Sequence, residues 1–133
     1  MKSAIQVTEK IKMKRKLILA YPNMRWLKED ITTTWNLNPS TLCLLASMVK
    51  DCVEVKIIDA QFYNMTEAAF KKEIEDYEPD YVGLSLLSSE YRDTLDTAAN
   101  IVKSVSKDIV VIAGGVHVTT QYGHAMKNKN IDY

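Results

Sequence analysis

Short apolar runs alternate along the chain with segments whose apolar residues recur at helical spacing. Four runs cover 16–21, 53–58, 81–87 and 109–113. The run at 81–87 is apolar throughout and the run at 109–113 is β-branched, as is typical of buried strands, whereas 53–58 alternates between apolar and polar residues as a strand does. Strands without a polar face belong to parallel sheets that are covered by helices on both sides. The alternation of such strands with helical segments therefore predicts βαβ units.

Each segment between the strands predicts a helix. Pro39 and Ser40 open the first helix and Thr66 is a plausible N-cap for the second. The first helix should bury the residues on one face, namely Leu42, Leu45, Ala46 and Val49. A third helix after Ser88 and Ser89 carries the clearest amphipathic stripe, made of Tyr91, Leu95, Ala98, Val102 and Val105. A fourth helix is expected at about 119–127, followed by 131–133 as the start of a truncated strand.

The expected fold is therefore α/β, a Rossmann-like (flavodoxin-like) doubly wound parallel sheet of about five strands flanked by helices. Residues 16–133 form this domain, with the fifth strand truncated, and residues 1–15 form a basic amino-terminal arm. The basic residues cluster just before and at the start of the first strand, as Lys10, Lys12, Lys14, Arg15 and Lys16. A short basic leader of this kind is typically solvated and partly frayed.

Composition narrows the range of functions. The 133 residues suffice for one hydrophobic core, and a net charge of zero argues against nucleic acid as a partner. We expect neither a membrane span nor a secretory signal, because no apolar stretch is long enough. Cys43 and Cys52 are too few for a zinc site or a disulfide framework. They are expected to be small buried side chains in a reducing cytoplasm.

The fourth strand ends in two glycines and a histidine, at Gly114, Gly115 and His117. Glycines let the backbone turn sharply and leave room for a ligand beside the main chain, and ligands of open α/β sheets bind beyond the carboxyl ends of the strands. The candidate cofactor-binding residues at these ends are Pro22, Asn23, Ser85, Leu87, Ser88, Ser89, Gly114, Gly115, Val116 and His117.

Several roles at these strand ends stay open. Ser85 either binds a ligand or satisfies a neighbouring backbone group, and Ser88 and Ser89 are either ligand contacts or helix caps. Asp59 either contributes to the site or only orients its loop. We predict no catalytic and no metal-binding residues here, because a nucleophile elbow, paired carboxylates, a phosphate loop and a dinucleotide fingerprint are all missing.

Ser85-Leu86-Leu87, followed after 26 residues by Gly114-Gly115, resembles the S-x-L…GG half of the cobalamin-binding domain signature. The other half, D-x-H-x-x-G, supplies the histidine below the cobalt, and the corresponding region at 38–42 lacks it. Both histidines, His117 and His124, lie elsewhere. The resemblance therefore implies base-off cobalamin with no protein histidine on the cobalt. His117 is expected to pack near the pocket, with an acid–base or ligand role as the alternative.

A more specific resemblance covers residues 16–133. It is to the amino-terminal cobalamin-binding domain of cobalamin-dependent radical S-adenosylmethionine enzymes. The ordered motifs are Pro39 before a Leu- and Ala-rich helix, the strand ending in Asp59, Pro79-Asp80-Tyr81-Val82-Gly83-Leu84-Ser85, and Gly114-Gly115-Val116-His117. In related domains the dimethylbenzimidazole tail is tucked into the sheet edge between the first and third strands. The resemblance implies that Gly114 and Gly115 let this tail approach the backbone, that Ser85 hydrogen-bonds it and that Leu87 walls the pocket.

The resemblance also implies what the chain would need in order to react. The full-length enzyme would add a radical S-adenosylmethionine domain in the continuation of the chain. That domain would carry a [4Fe-4S] cluster on C-x-x-x-C-x-x-C and S-adenosylmethionine, for methyl transfer or ring-forming chemistry. The chain would then be an enzyme fragment, not catalytic alone. The alternative is a non-catalytic flavodoxin-like scaffold or oligomerisation domain that no longer binds corrin. The missing axial histidine and an atypical loop containing Trp26, Lys28, Glu29 and Asp30 favour this alternative.

Overall fold

A computed structural model describes residues 14–27, 38–86 and 92–133. The described part is an α/β fold of four parallel strands and four helices. In chain order the elements are β1 (Arg15–Tyr21), α1 (Ser40–Val49), β2 (Val53–Asp59), α2 (Glu67–Tyr77), β3 (Tyr81–Ser85), α3 (Arg92–Val105), β4 (Val110–Gly114) and α4 (Val116–Ala125). The strand order is β2-β1-β3-β4, and every neighbouring pair is parallel. The prediction of alternating strands and helices around a parallel sheet is confirmed.

The main core lies on the face of the sheet that α2 and α3 cover. Val82 and Leu84 of β3 and Val111 of β4 point into it, and Phe70 and Ile74 of α2 pack there. The stripe of α3 behaves as predicted at Leu95, Ala98 and Val102, which are buried, and Val105 is half-buried. Thr66 caps α2 as expected, because its side chain accepts a hydrogen bond from the Ala69 N–H at 3.1 Å.

The opposite face is covered only in part by α1. This helix lies over β1 and β2, where Leu42 packs against Leu19 and Tyr21. Two predictions for this helix region are wrong. Leu45 was placed on the inner face but is 42% exposed, because the surface under α1 is narrow and only Leu42 reaches its centre. Cys43 and Cys52 were expected to be buried, and both are exposed free thiols.

The expected fifth strand is not assigned, although the last three residues hydrogen-bond to β4. The N–H of Ala113 donates to Tyr133 O at 2.7 Å, and the N–H of Asp132 donates to Val111 O at 2.9 Å. Lys103 anchors this segment, because its ammonium donates to Asp132 Oδ2 and to Ile109 O, both at 2.7 Å. The hydrogen bond from Lys103 lowers the pKa of Asp132, and the bond from the Val111 N–H acts in the same direction.

Asp80 joins the amino-terminal ends of β1 and β3. Its carboxylate accepts hydrogen bonds from the Lys16 N–H at 2.8 Å and from the Arg15 guanidinium at 2.7 Å. Both hydrogen bonds lower the pKa of Asp80, and the bond from the Lys16 N–H has the larger effect. Lys14 and Lys16 also have partners, the carbonyl oxygens of Lys50 and Tyr77. The described members of the basic cluster are therefore hydrogen-bonded to the rest of the fold, while Lys14 and Arg15 stay exposed to solvent.

The remaining differences concern element ends. β3 stops at Ser85 rather than at residue 87, and α4 begins at Val116, three residues earlier than expected. Residues 1–13 of the arm lie outside the described residues, as do Leu87, Ser88, Ser89 and Tyr91. Within the described ranges, none of the helices is long and apolar enough to cross a membrane.

Asp80→Ala should destabilise the fold by about 1–2 kcal/mol, because a backbone N–H and a guanidinium lose a charged acceptor. The native pKa of Asp80 lies below its unfolded value of about 3.9. Its contribution is therefore complete above that value and is lost as the pH falls through the native pKa. Urea unfolding at neutral pH and near pH 3 measures both effects.

The matched control is Asp108→Ala, which removes an exposed aspartate from the turn before β4. We expect it to change stability by less than about 0.5 kcal/mol. Equal losses for the two variants would contradict the role assigned to Asp80.

Candidate functional site

The carboxyl ends of the four strands lie side by side at one end of the sheet, which we call the carboxyl edge. Asp59 of β2 is in register with Tyr21 of β1, and Ser85 of β3 is in register with Gly114 of β4. The Asp59 carboxylate accepts a hydrogen bond from the Phe62 N–H at 2.9 Å. Asp59 therefore shapes the turn after β2, one of the two roles left open for it. The other polar groups at the carboxyl ends of the strands are uncharged hydroxyl, amide and main-chain groups.

Gly115 is pressed against the end of β3. Its φ is +94°, and a Cβ added there would stand 2.5 Å from Leu86 O and 3.0 Å from Ser85 Oγ. Since an L side chain strongly disfavours this backbone conformation, only glycine fits. The Leu86 N–H also donates to Gly114 O at 3.2 Å. The two motifs of the S-x-L…GG pattern therefore touch, because β3 and β4 are neighbouring strands.

Beside this contact, the face of the sheet away from α2 and α3 carries no described helix over β3 and β4, since α1 packs on β1 and β2; we call this part of the face the open trough. Side chains alternate between the faces of a strand, so one set of residues from β3 and β4 lies on this face. The residues that form the floor of the open trough are Gly83, Ser85, Ile112 and Gly114. Ile112 is 40% exposed, and a Cβ added at Gly114 would meet no described atom within 4 Å.

One flank of α1 borders the open trough. Ser47 and Lys50 lie on the other flank, where they line a cavity together with Val53 and Val55 of β2. By helical spacing, Leu45 and Met48 lie on the flank that is directed toward β3. Met48 is 71% exposed. The open trough thus has two glycines among its four floor residues and an apolar flank on the α1 side, a surface that suits a flat, uncharged aromatic group.

Pro22 and Asn23 lie at the edge but are buried in the loop after β1. The Asn23 amide donates to Asn64 Oδ1 and to Met65 O, both at 3.0 Å, and its oxygen accepts from the Arg25 N–H at 3.0 Å. Its described hydrogen bonds therefore tie the loop after β1 to the loop after β2. Trp26 has the same role, because its Nε1 donates to Met65 O at 2.7 Å and its ring packs against Phe70.

Val116 and His117 form the first turn of α4 and point in different directions. Val116 is exposed, whereas His117 is 2% exposed and its Nδ1 has no hydrogen-bond partner among the described residues. Burial lowers the pKa of His117 below its usual value. The charges of His124 and Arg92 add to this, and Asp96 opposes it. His117 packs on the α3 side of the sheet, and its ring centroid lies 5.9 Å from that of His124.

Sequence reasoning missed two residues of the open trough, Gly83 and Ile112. A Cβ on Gly83 would come within 2.8 Å of Leu19 Cδ2, so its missing side chain leaves room for Leu19. Both residues lie two positions before a predicted site residue, Ser85 or Gly114, and strand alternation could have found them. Across the described ranges, no group of three or more histidine, cysteine or carboxylate side chains could hold a metal ion.

Comparison with known proteins adds independent information. The family model of the B12 binding domain matches residues 33–133. An uncharacterized methyltransferase, PH0819 of Pyrococcus horikoshii, is 34% identical over 109 residues, which cover 82% of this chain and 23% of the relative. The anaerobic magnesium-protoporphyrin IX monomethyl ester cyclase of Rubrivivax gelatinosus is 25% identical over 114 residues, 84% of this chain and 20% of the relative. The chain thus spans about a quarter or less of the curated relatives it matches.

A solved structure has a similar fold. The crystal structure of a novel cobalamin-binding protein from Desulfitobacterium hafniense aligns with a TM-score of 0.57 at 18% identity. The alignment covers 87% of this chain and 51% of that protein. At this identity the likeness concerns the fold alone.

Gly114, at the end of β4, and Gly115, directly after it, should differ sharply in their tolerance of a side chain. Gly115→Ala should cost about 3 kcal/mol, because it combines a positive φ with a backbone clash. Gly114→Ala should change stability by less than about 1 kcal/mol, because its Cβ enters open space. Chemical denaturation of the two variants measures the difference, and similar losses would show that the contact between Gly115 and Leu86 is not as tight as described.

Proposed function

Because the chain belongs to the B12 binding domain family, we propose that it holds cobalamin by its nucleotide tail in the open trough. The observation that carries this proposal is the floor of the open trough. Gly114 has no side chain, and a Cβ added there would enter space free of described atoms, so a planar base can lie against the end of β4 beside Ser85. A bound tail would leave the corrin ring outside the carboxyl edge of the sheet, where ligands of such sheets bind.

Each side chain around the open trough has a proposed role. The Ser85 hydroxyl hydrogen-bonds the tail, Ile112 and Leu45 contact its apolar ring, and Gly115 holds the end of β4 in place. Leu87, Ser88 and Ser89, which follow β3 directly, are proposed to continue the wall. Pro22, Asn23, Val116 and His117 keep a supporting role, in which they set the positions of the loops around the edge.

When bound, cobalamin supplies a cobalt centre for methyl or electron transfer. This chain would hold it base-off, with the tail drawn away from the metal. His117 packs toward α3 on the face opposite the open trough, which supports the proposal that no protein histidine occupies the lower face of the cobalt. The residues of this chain thus bind and orient the cofactor, and the reacting groups belong elsewhere.

Binding is tested with two corrinoids that differ only in the nucleotide tail. Hydroxocobalamin should be retained on gel filtration with the visible spectrum of a base-off corrinoid. Cobinamide, which lacks the tail, should bind at least about tenfold more weakly, because it cannot use the open trough. Gly114→Leu should weaken cobalamin binding on the order of 100-fold, since it fills the space of the tail.

Gly123→Leu is the matched control, because a Cβ at Gly123 also meets nothing within 4 Å but lies on α4. It should leave binding unchanged, and circular dichroism checks that both variants are folded. If the chain binds neither hydroxocobalamin nor cobinamide, the scaffold alternative is supported. Equal affinity for the two corrinoids would overturn the assignment of the open trough to the tail.

We further propose that the partner of this module is a radical S-adenosylmethionine domain in the same polypeptide, acting in the cytoplasm. The ordered motifs from Pro39 to His117 support this proposal, as do relatives named as a methyltransferase and a cyclase. The full-length protein should then contain C-x-x-x-C-x-x-C. After anaerobic reconstitution it should bind about four irons per chain. A full-length protein without this motif and without iron would exclude the partner but leave the cobalamin module intact.

A further inference from the structure

β2 lies at the end of the described sheet and has one side free of strand pairing among the described residues. The Ala60 N–H donates to Tyr21 O at 3.0 Å, and main-chain groups alternate in direction along a parallel strand. The N–H and C=O groups of Glu54, Lys56 and Ile58 therefore face β1. Those of Val53, Val55 and Ile57 face outward and can pair with another strand.

Two opposite charges flank the centre of this edge. Glu54 and Lys56 stand on either side of Val55 and share the face of the sheet that α2 covers. Glu54 is exposed. The Lys56 ammonium lies 2.6 Å from Glu73 and 5.3 Å from the centre of the Tyr77 ring. These contacts hold the Lys56 side chain close to the strand, and 33% of it stays exposed.

We propose that this edge pairs with β2 of a second copy of the chain, antiparallel and around a twofold axis at Val55. The outward groups of Val55 then bond to the partner's Val55, and those of Val53 bond to the partner's Ile57. Glu54 stands opposite the partner's Lys56, and the reciprocal pair forms by symmetry. Such non-hydrogen-bonded pairs bring their side chains closest together, so the two ion pairs contribute directly to the contact.

The charges also select the register. If the twofold axis passed through Glu54, the Glu54 carboxylates of the two chains would face each other. If it passed through Lys56, the two Lys56 ammonium groups would face each other. Like charges directly opposite each other are unfavourable. Among the registers that keep the outward groups paired, only the axis at Val55 joins unlike charges. A segment whose charges complement themselves in this way fits a second copy better than an unrelated strand.

The helices leave room for this pairing. Between α1 and the edge lies a cavity of about 460 Å³, lined in part by Ser47, Lys50, Val53 and Val55, so the described residues do not cover the outer side of the strand. The open trough lies on the other flank of α1, over β3 and β4. Dimerisation would therefore leave the proposed cofactor site open, and its test is separate from that of corrinoid binding.

The test is sedimentation equilibrium of the 133-residue chain over protein concentrations on the order of 1 to 100 μM. We expect a monomer–dimer equilibrium in the micromolar range, because two seven-residue edges bury less than a standard interface. Glu54→Lys and Lys56→Glu should each weaken the dimer on the order of tenfold, because both ion pairs become repulsive. An equimolar mixture of the two variants should form a heterodimer, and E54K/K56E should recover the homodimer.

Asp108→Lys is the control for Glu54→Lys, because it makes the same change of charge far from the edge. Val55→Pro removes one outward N–H without touching the charges, and it should abolish the dimer while circular dichroism still shows the fold. A chain that is monomeric throughout this range overturns the proposal. The proposal is also overturned if neither single variant weakens the dimer, or if E54K/K56E does not restore it.

Discussion

The contact between Gly115 and Leu86 is the constraint on which the candidate site depends. It brings the backbone of the β4–α4 connection onto the end of β3, at a spacing that excludes any side chain. As a result Ser85 and Gly114 lie side by side, Gly114 opens toward the trough, and His117 turns into the core on the other face. A single backbone contact thus separates a binding surface from a packed interior within three residues.

The elements at the centre of the sheet were predictable because their signals are local. Apolar runs identified the strands, and a helical stripe identified α3. That Ser85 and Gly114 meet depends on β3 and β4 being neighbours, which the sequence pattern did not establish. The role of Asn23 could not be predicted, because its partners, Asn64 and Met65, are about 40 residues away and are brought close only by the fold. The exposure of Leu45 was missed for a related reason. Helical spacing shows which residues share a face, but it does not show how much surface lies beneath that face.

The two ends of the strands are built differently. At the amino-terminal end, Asp80 and the Lys103–Asp132 pair hold the strands through charged hydrogen bonds. At the carboxyl end, glycines, a hydroxyl and loops tied by side-chain amides leave space. Stability and binding are therefore supported by different residues, so a change at one end leaves the other largely undisturbed.

Two of the four floor residues of the open trough are glycines, and this limits how its preference for a ligand can evolve. Substitution at Gly83 or Gly114 adds bulk to the floor but cannot alter the main-chain groups beneath it. Under the proposed function, discrimination between one planar base and another must therefore arise at the rim, chiefly through the exposed flank of α1. Homologous proteins that use different corrinoids should accordingly diverge at the rim while they keep the same floor.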